Sequence, residues 1–126
     1  MTAGPMLGLV SLAVALSLTA GARRQQPLEV TGREWVAFDP AARQAWLEGF
    51  LAGAAVGQVM QEGAADSSAL RTAIATLRRQ NGLTFPYGAN VYRARVDDFF
   101  YWESERPQPV WYAIWVVNRH LKRSQQ

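Results

Sequence analysis

The residue pair best suited to acid–base chemistry in this sequence is Asp97-Asp98, which lies in the segment VDDFF. A general acid and a general base must both reach one substrate. The apolar spacing around the pair predicts a helix, in which neighbouring side chains point about 100° apart. We therefore predict that the two carboxylates do not converge. One Asp is expected to be solvated and the other to pair locally, for example Asp97 with Arg93 at i−4. In the functional alternative, Asp98 holds a ligand or a partner beside Phe99 and Tyr101.

Two further residues could support chemistry. His120 is the only histidine and the chain has no cysteine. A metal site would need Asp or Glu at a suitable spacing from His120, and the sequence has none there, so we predict no metal. His120 is instead expected near a helix C-terminus, which favours positive charge. Glu48 interrupts an apolar run, and we predict that it lies on the outer edge of its helix.

Recognised catalytic and cofactor motifs are missing from the sequence. No serine lies in a G-x-S-x-G turn, and no glycine-rich loop follows a strand pattern to hold phosphate. We predict no catalytic residues and no cofactor. An enzyme or enzyme subunit that uses Glu48 and Asp98 in one cleft stays as an alternative.

Composition limits the classes of partner. The chain has 126 residues, enough for one domain, and a net charge of +3. Twelve of its thirteen basic residues are arginine, and no basic run exceeds two residues. Charge of this size and scatter predicts no nucleic-acid binding. Without cysteine, disulfides and thiolate metal sites are excluded.

The first 22 residues have the pattern of an export signal. The segment MLGLVSLAVALSLTAGA is apolar, has no charge and ends in Ala20-Gly21-Ala22, which fits an A-x-A cleavage site. We predict a cleavable signal peptide over residues 1–22 and a periplasmic or secreted product. Arg23-Arg24 directly after the apolar stretch supports an alternative, in which residues 6–22 are retained as an inner-membrane anchor. Only that alternative predicts membrane attachment.

After the signal peptide, the sequence predicts an extended lead-in over residues 23–38 and a helical domain over residues 39–126. The first helix should begin at Asp39-Pro40, because Asp caps helices and Pro suits the first position, and should end near Gln61. The second should follow Asp66 or Ser67 and end before Asn81-Gly82. A third, with Thr84 as its cap, follows the turn TFPYG, and a fourth covers PVWYAIWVVNRHLKR. Short connections predict an all-α, small antiparallel bundle of about four helices.

Three glycines recur every fourth residue in the first of these helices, at Gly49, Gly53 and Gly57. Each costs about 1 kcal/mol relative to alanine in a helix. Close approach of another backbone would offset that cost, so the spacing predicts a packing seam. The apolar run is too short to span a bilayer. A seam between two copies is the alternative, which leaves a homodimer open.

The segment FFYWESERPQPVWY, residues 99–112, concentrates six aromatic residues around a proline-containing loop. A domain of this size cannot easily bury all six. Exposed aromatic side chains with an arginine nearby are typical of protein-binding surfaces. The candidate partner-binding residues are Asp98, Tyr101, Trp102 and Arg106; ordinary core packing at a helix corner is the alternative.

Three segments in order carry a resemblance: R-x-x-W-L-E-G-F-L-A-G, then V-D-D-F-F after TFPYG, then P-V-W-Y-A-I-W-V-V. Over residues 32–122 the set resembles small, largely uncharacterised, exported bacterial helical proteins. More distantly the chain is similar to the helical periplasmic immunity proteins that neutralise type VI secreted amidases. Members of that family commonly carry disulfides, and this chain departs from them because it has no cysteine.

Together these patterns predict a small exported helical protein that binds another protein of the cell envelope. The resemblance implies an immunity- or inhibitor-like role. A membrane-anchored structural component and an enzyme subunit are the alternatives.

Overall fold

A computed structural model describes residues 29–64 and 66–126. The predicted signal peptide and the first part of the lead-in, residues 23–28, lie outside the described residues. Within them, 71% of residues are helical and no strand is present, so the predicted all-α fold is confirmed. The five α-helices are α1 (Gly32–Ala37), α2 (Pro40–Gln61), α3 (Ser67–Arg79), α4 (Ala89–Phe99) and α5 (Val110–Arg123), with a 3₁₀ turn at Glu103–Glu105.

The predicted starts of two helices are confirmed by their caps. The Asp39 carboxylate accepts a hydrogen bond from the Ala42 backbone N–H at 2.7 Å, and Pro40 opens α2. The Asp66 carboxylate accepts from the Ala69 N–H at 2.8 Å and opens α3. Both caps satisfy backbone donors that no helical carbonyl can reach.

The lead-in differs from its prediction, because residues 32–37 form the short helix α1 rather than extended chain. Thr31 caps this helix, and the Glu34 carboxylate accepts from the Thr31 backbone N–H at 2.7 Å. Hydrogen bonds from the side chain and backbone of Thr31 hold the pKa of Glu34 below its ordinary value. This reciprocal capping stabilises a helix that is too short to be stable alone.

The core lies where α2, α4 and α5 meet. α4 packs against both α2 and α5, and α3 packs against α2. Trp35 from α1 inserts into the same core and is fully buried. The other buried residues of this cluster are Leu47, Tyr92, Val96, Phe100, Val110, Ala113, Ile114 and Val117.

The glycine row of α2 does not pack as predicted. A Cβ atom added at Gly49, Gly53 or Gly57 would meet no neighbouring heavy atom within 4 Å. In a helix, positions two apart are separated by about 200°. The row therefore faces away from the side on which Leu47 is buried and Leu51 is half-buried. The prediction of a packing seam within the domain is wrong for the described chain, and a seam between copies stays a prediction.

We expect the change Gly53→Ala to raise the free energy of unfolding by about 1 kcal/mol, because the added methyl group meets open space and alanine favours the helix. Urea unfolding followed by circular dichroism measures this change. Gly63→Ala is the control, since Gly63 has a φ of 91° that alanine adopts with strain. A loss of stability in Gly53→Ala would contradict the observed exposure of Gly53 and would support the predicted packing seam.

A buried polar chain ties α4 to α5 and to the loop before α4. The Tyr92 hydroxyl donates to Asn118 Oδ1 at 2.7 Å, and Asn118 Nδ2 donates to the Thr84 carbonyl at 2.9 Å. The prediction that Thr84 caps α4 is wrong, because Gly88 occupies the cap position. The Thr84 backbone N–H instead donates to Gln58 Oε1 at 2.9 Å. Each side chain of this hydrogen-bond network has a partner, which stabilises the fold because a buried polar group left unpaired is costly.

Burial raises the pKa of the Tyr92 phenol well above its ordinary value. A phenol in the unfolded chain ionises near pH 10, so the unfolded state loses this proton first as the pH rises. The contribution of Tyr92 to the free energy of unfolding is fully present below about pH 10. Above that pH it falls, by up to about 1.4 kcal/mol per pH unit. We expect unfolding curves of wild type and Tyr92→Phe to show this extra fall in the wild type alone. Parallel pH profiles would contradict it.

Candidate functional site

A surface depression beside the predicted site residues lies between the C-terminal ends of α4 and α5. We call it the α4–α5 groove. Its volume is about 590 Å³. It is lined by Arg95, Asp98, Phe99, Trp102, Glu105, Val116, Val117, His120, Leu121 and Ser124. Phe99 and the aliphatic residues supply an apolar surface, and the polar residues surround it.

Two aromatic side chains stand in solvent at the end of the groove. Trp102 is 66% exposed and lines the groove, and the adjacent Tyr101 is 72% exposed. Their ring centroids lie 5.3 Å apart with the planes nearly perpendicular. Trp102 and the short 3₁₀ turn that follows it, which holds no buried residue, form the corner between α4 and α5. A large exposed aromatic pair of this kind is typical of a binding surface.

Charged groups of both signs surround the apolar part of the groove. Asp98 Oδ2 lies 3.8 Å from Arg95 Nη1, and both side chains are largely exposed. A surface pair of this length contributes little to stability. Glu105 and His120 line the same groove, and His120 lies in the last turn of α5, as the sequence predicts. The groove therefore offers donors and acceptors of both charges around an apolar centre.

Arg106, which the sequence placed with the candidate binding residues, supports the corner instead of lining the groove. Its Nε donates to the Phe100 carbonyl at 3.2 Å, and its own carbonyl accepts from the Arg33 N–H at 3.2 Å. The Arg106 backbone also lies against Gly32, where an added Cβ would sit 2.8 Å from the Arg106 Cα. Of the four candidates, Asp98 and Trp102 share the groove and Tyr101 adjoins it.

Asp97 is not paired with Arg93, which corrects the prediction of an i−4 pair. Asp97 Oδ1 accepts from Trp35 Nε1 at 2.8 Å and from Arg43 Nη1 at 3.1 Å. Arg43 also donates from Nε to the carbonyls of Trp35 and Phe38 at 3.0 and 3.1 Å. α4 packs on α2, so a partner from the neighbouring helix replaces the local one. The Nε atom of Arg93 is buried without a hydrogen-bond partner among the described residues.

Glu48 is exposed, as predicted, and lies apart from Asp98. It lines a second cavity of about 570 Å³, which α2 and α3 form with residues 83–89. The two cavities have no lining residue in common. The paired use of Glu48 and Asp98 in one cleft therefore has no support in the arrangement of the described residues.

Within residues 29–64 and 66–126, no group of three or more His, Cys, Asp or Glu side chains could hold a metal ion. Over the same residues, no helix has the length and apolar character that a bilayer crossing needs.

No protein-family model, curated protein or solved structure matches the chain. The resemblance to exported helical proteins and to immunity proteins therefore stays a prediction.

Sequence reasoning missed half of the groove and a second exposed surface. Val116 and His120 reach the groove only because α5 packs beside α4. Trp111 and Trp115 of α5 are 47% and 44% exposed. Their spacing of four residues in one helix was the available signal for a shared outer face.

Proposed function

We propose that the chain is a small exported protein that binds another protein of the cell envelope through the α4–α5 groove. The observation that carries the proposal is the 66% exposure of Trp102 at a groove with an apolar lining. An indole held in water at a concave surface gains free energy when a partner covers it. Tryptophan is also among the residues most enriched at the energetic centres of protein interfaces.

The character of the groove favours a protein partner over a small polar ligand. Apolar side chains in its centre would bury an apolar anchor of the partner, and Asp98, Arg95 and Glu105 would set the register through charge. The export signal predicted over residues 1–22 suggests that the partner lies in the envelope. An inhibitor- or immunity-like role is the form of binding that the sequence resemblance favours.

We expect Trp102→Ala to weaken binding of the partner by about 30-fold, equivalent to about 2 kcal/mol, since a central interface tryptophan typically contributes that much. The free energy of unfolding should change by less than about 0.5 kcal/mol because the side chain is exposed. The measurement is capture of envelope proteins by the tagged full chain, followed by titration of the captured partner.

Trp111→Ala is the matched control, because Trp111 is exposed but does not line the groove. The proposal predicts full capture by that variant. Equal capture by wild type and Trp102→Ala would contradict binding at the groove, and equal loss in both variants would point to a different surface.

A further inference from the structure

The outer face of α5 carries aromatic and basic side chains side by side. We call Trp111, Trp115, Arg119, Lys122 and Arg123 the α5 strip. Trp111 and Trp115 each pack against Tyr112, with ring centroids 6.2 and 6.0 Å apart. The Arg119 guanidinium carbon lies 4.6 Å from the Trp115 ring centroid. The strip thus runs from indole rings at one end of the helix to cationic groups at the other.

The α5 strip has a strong excess of positive charge. Helix α5 contains Arg119, His120, Lys122 and Arg123, and it contains no aspartate or glutamate. The two ion pairs seen among the described residues involve cations of α2 and α4, so neither neutralises this end of α5. Glu29 contacts the strip at its other end, where Trp111 Nε1 donates to its carboxylate at 3.4 Å.

We propose that the α5 strip lies on the surface of an anionic phospholipid bilayer. Tryptophan side chains favour the boundary between lipid headgroups and hydrocarbon, where the ring is apolar and the N–H stays hydrated. Lysine and arginine beside them are attracted to anionic headgroups, each strengthening binding about five-fold. A helix with this combination on one face lies in the plane of the interface.

A second copy of the chain is a poorer occupant of the strip. A symmetric pair would bury Arg119, Lys122 and Arg123 against a copy of α5 that has no aspartate or glutamate to pair with them. Burying unpaired cations is costly. The proposal does not depend on the function of the α4–α5 groove.

The test uses the absence of cysteine in the sequence. In the full chain, Trp115→Cys is labelled with the environment-sensitive fluorophore nitrobenzoxadiazole, and Ala75→Cys on the exposed side of α3 is the control. Each protein is titrated with vesicles of phosphatidylglycerol or of phosphatidylcholine, and circular dichroism confirms helicity. Should Trp115→Cys fail to fold, the label is placed at Trp111→Cys instead.

We expect a blue shift and increased emission at position 115 with phosphatidylglycerol, little change with phosphatidylcholine, and none at position 75. Neutralising Arg119, Lys122 and Arg123 to glutamine should raise the lipid concentration for half-maximal change by on the order of 100-fold. No shift at 115, or equal shifts with both lipids or at both positions, would overturn the proposal. Blue-shifted emission in the absence of vesicles would also overturn the proposal. If that emission did not change with protein concentration, residues 1–28 would cover the strip. If it did change, a second copy of the chain would cover it.

Discussion

Replacing Trp35 with alanine is expected to lower the free energy of unfolding by about 3–5 kcal/mol, as for other large buried aromatic residues. Trp35 is fully buried, and its ring packs edge-on against Trp46 with centroids 6.1 Å apart. Its Nε1 donates to Asp97, which also accepts from Arg43. The change therefore removes core volume and one of the donors to a carboxylate that joins α1, α2 and α4. Thermal and urea unfolding measure the loss.

Trp35→Phe separates the two contributions. Phenylalanine keeps most of the apolar packing but has no donor for Asp97, so we expect an intermediate loss. Trp111→Ala is the control for the number of aromatic residues, and it should cost less than about 1 kcal/mol because Trp111 is half exposed. If Trp35→Ala cost no more than Trp111→Ala, α1 would not be part of the folded core.

Replacing Gly32 with alanine is expected to cost about 3 kcal/mol, at the upper end for overpacking a core. An added Cβ would overlap Phe100 Cδ1 and would lie 2.8 Å from the Arg106 Cα. The phenyl ring could rotate, but the Arg106 backbone is held by the hydrogen bond from the Arg33 N–H. The first turn of α1 would have to move away from the corner that carries Trp102.

For Gly53→Ala we expect the opposite result, a gain in stability, because open space surrounds that glycine. Both variants are measured by the same urea unfolding. The double change Gly32→Ala with Phe100→Leu should recover only part of the loss, because the backbone contact stays. A Gly32→Ala protein as stable as the wild type would contradict the tight packing of α1 on the corner.

Helix positions were predictable where the signals are local. Asp39-Pro40 and Asp66 determine helix starts through contacts within three residues, and the structure has both caps. The same type of signal was present at Thr31 and Glu34, where a capping box opens α1. It was overlooked because a helix of six residues lacks the repeated apolar spacing that identifies longer helices.

The glycine row shows why spacing alone does not determine packing. Gly49, Gly53 and Gly57 share a helix face, but spacing does not say which face the rest of the fold covers. Leu47 and Val59 are buried on α2, and the glycines are exposed. Side-chain volume decided the outcome, since burying leucine and valine gains more free energy than burying glycine.

In the candidate site as well, contacts between residues that are distant in the sequence could not be predicted. Asp97 was assigned a neighbour one turn away, while its partners come from residues 35 and 43. Asp98 and Trp102 lie within one short segment, so their position on one groove follows from the sequence. His120 and Val116 join them only through the packing of α5 on α4.

Site-specific photo-crosslinking tests the central claim, that the α4–α5 groove binds a protein, most directly. A photoreactive phenylalanine analogue is introduced at position 102, or at the exposed position 75 of α3 as control, and the full chain is irradiated in intact cells. The account predicts a covalent adduct of one discrete protein mass at position 102 and none at position 75. No adduct at 102, or the same adducts at both positions, would contradict it.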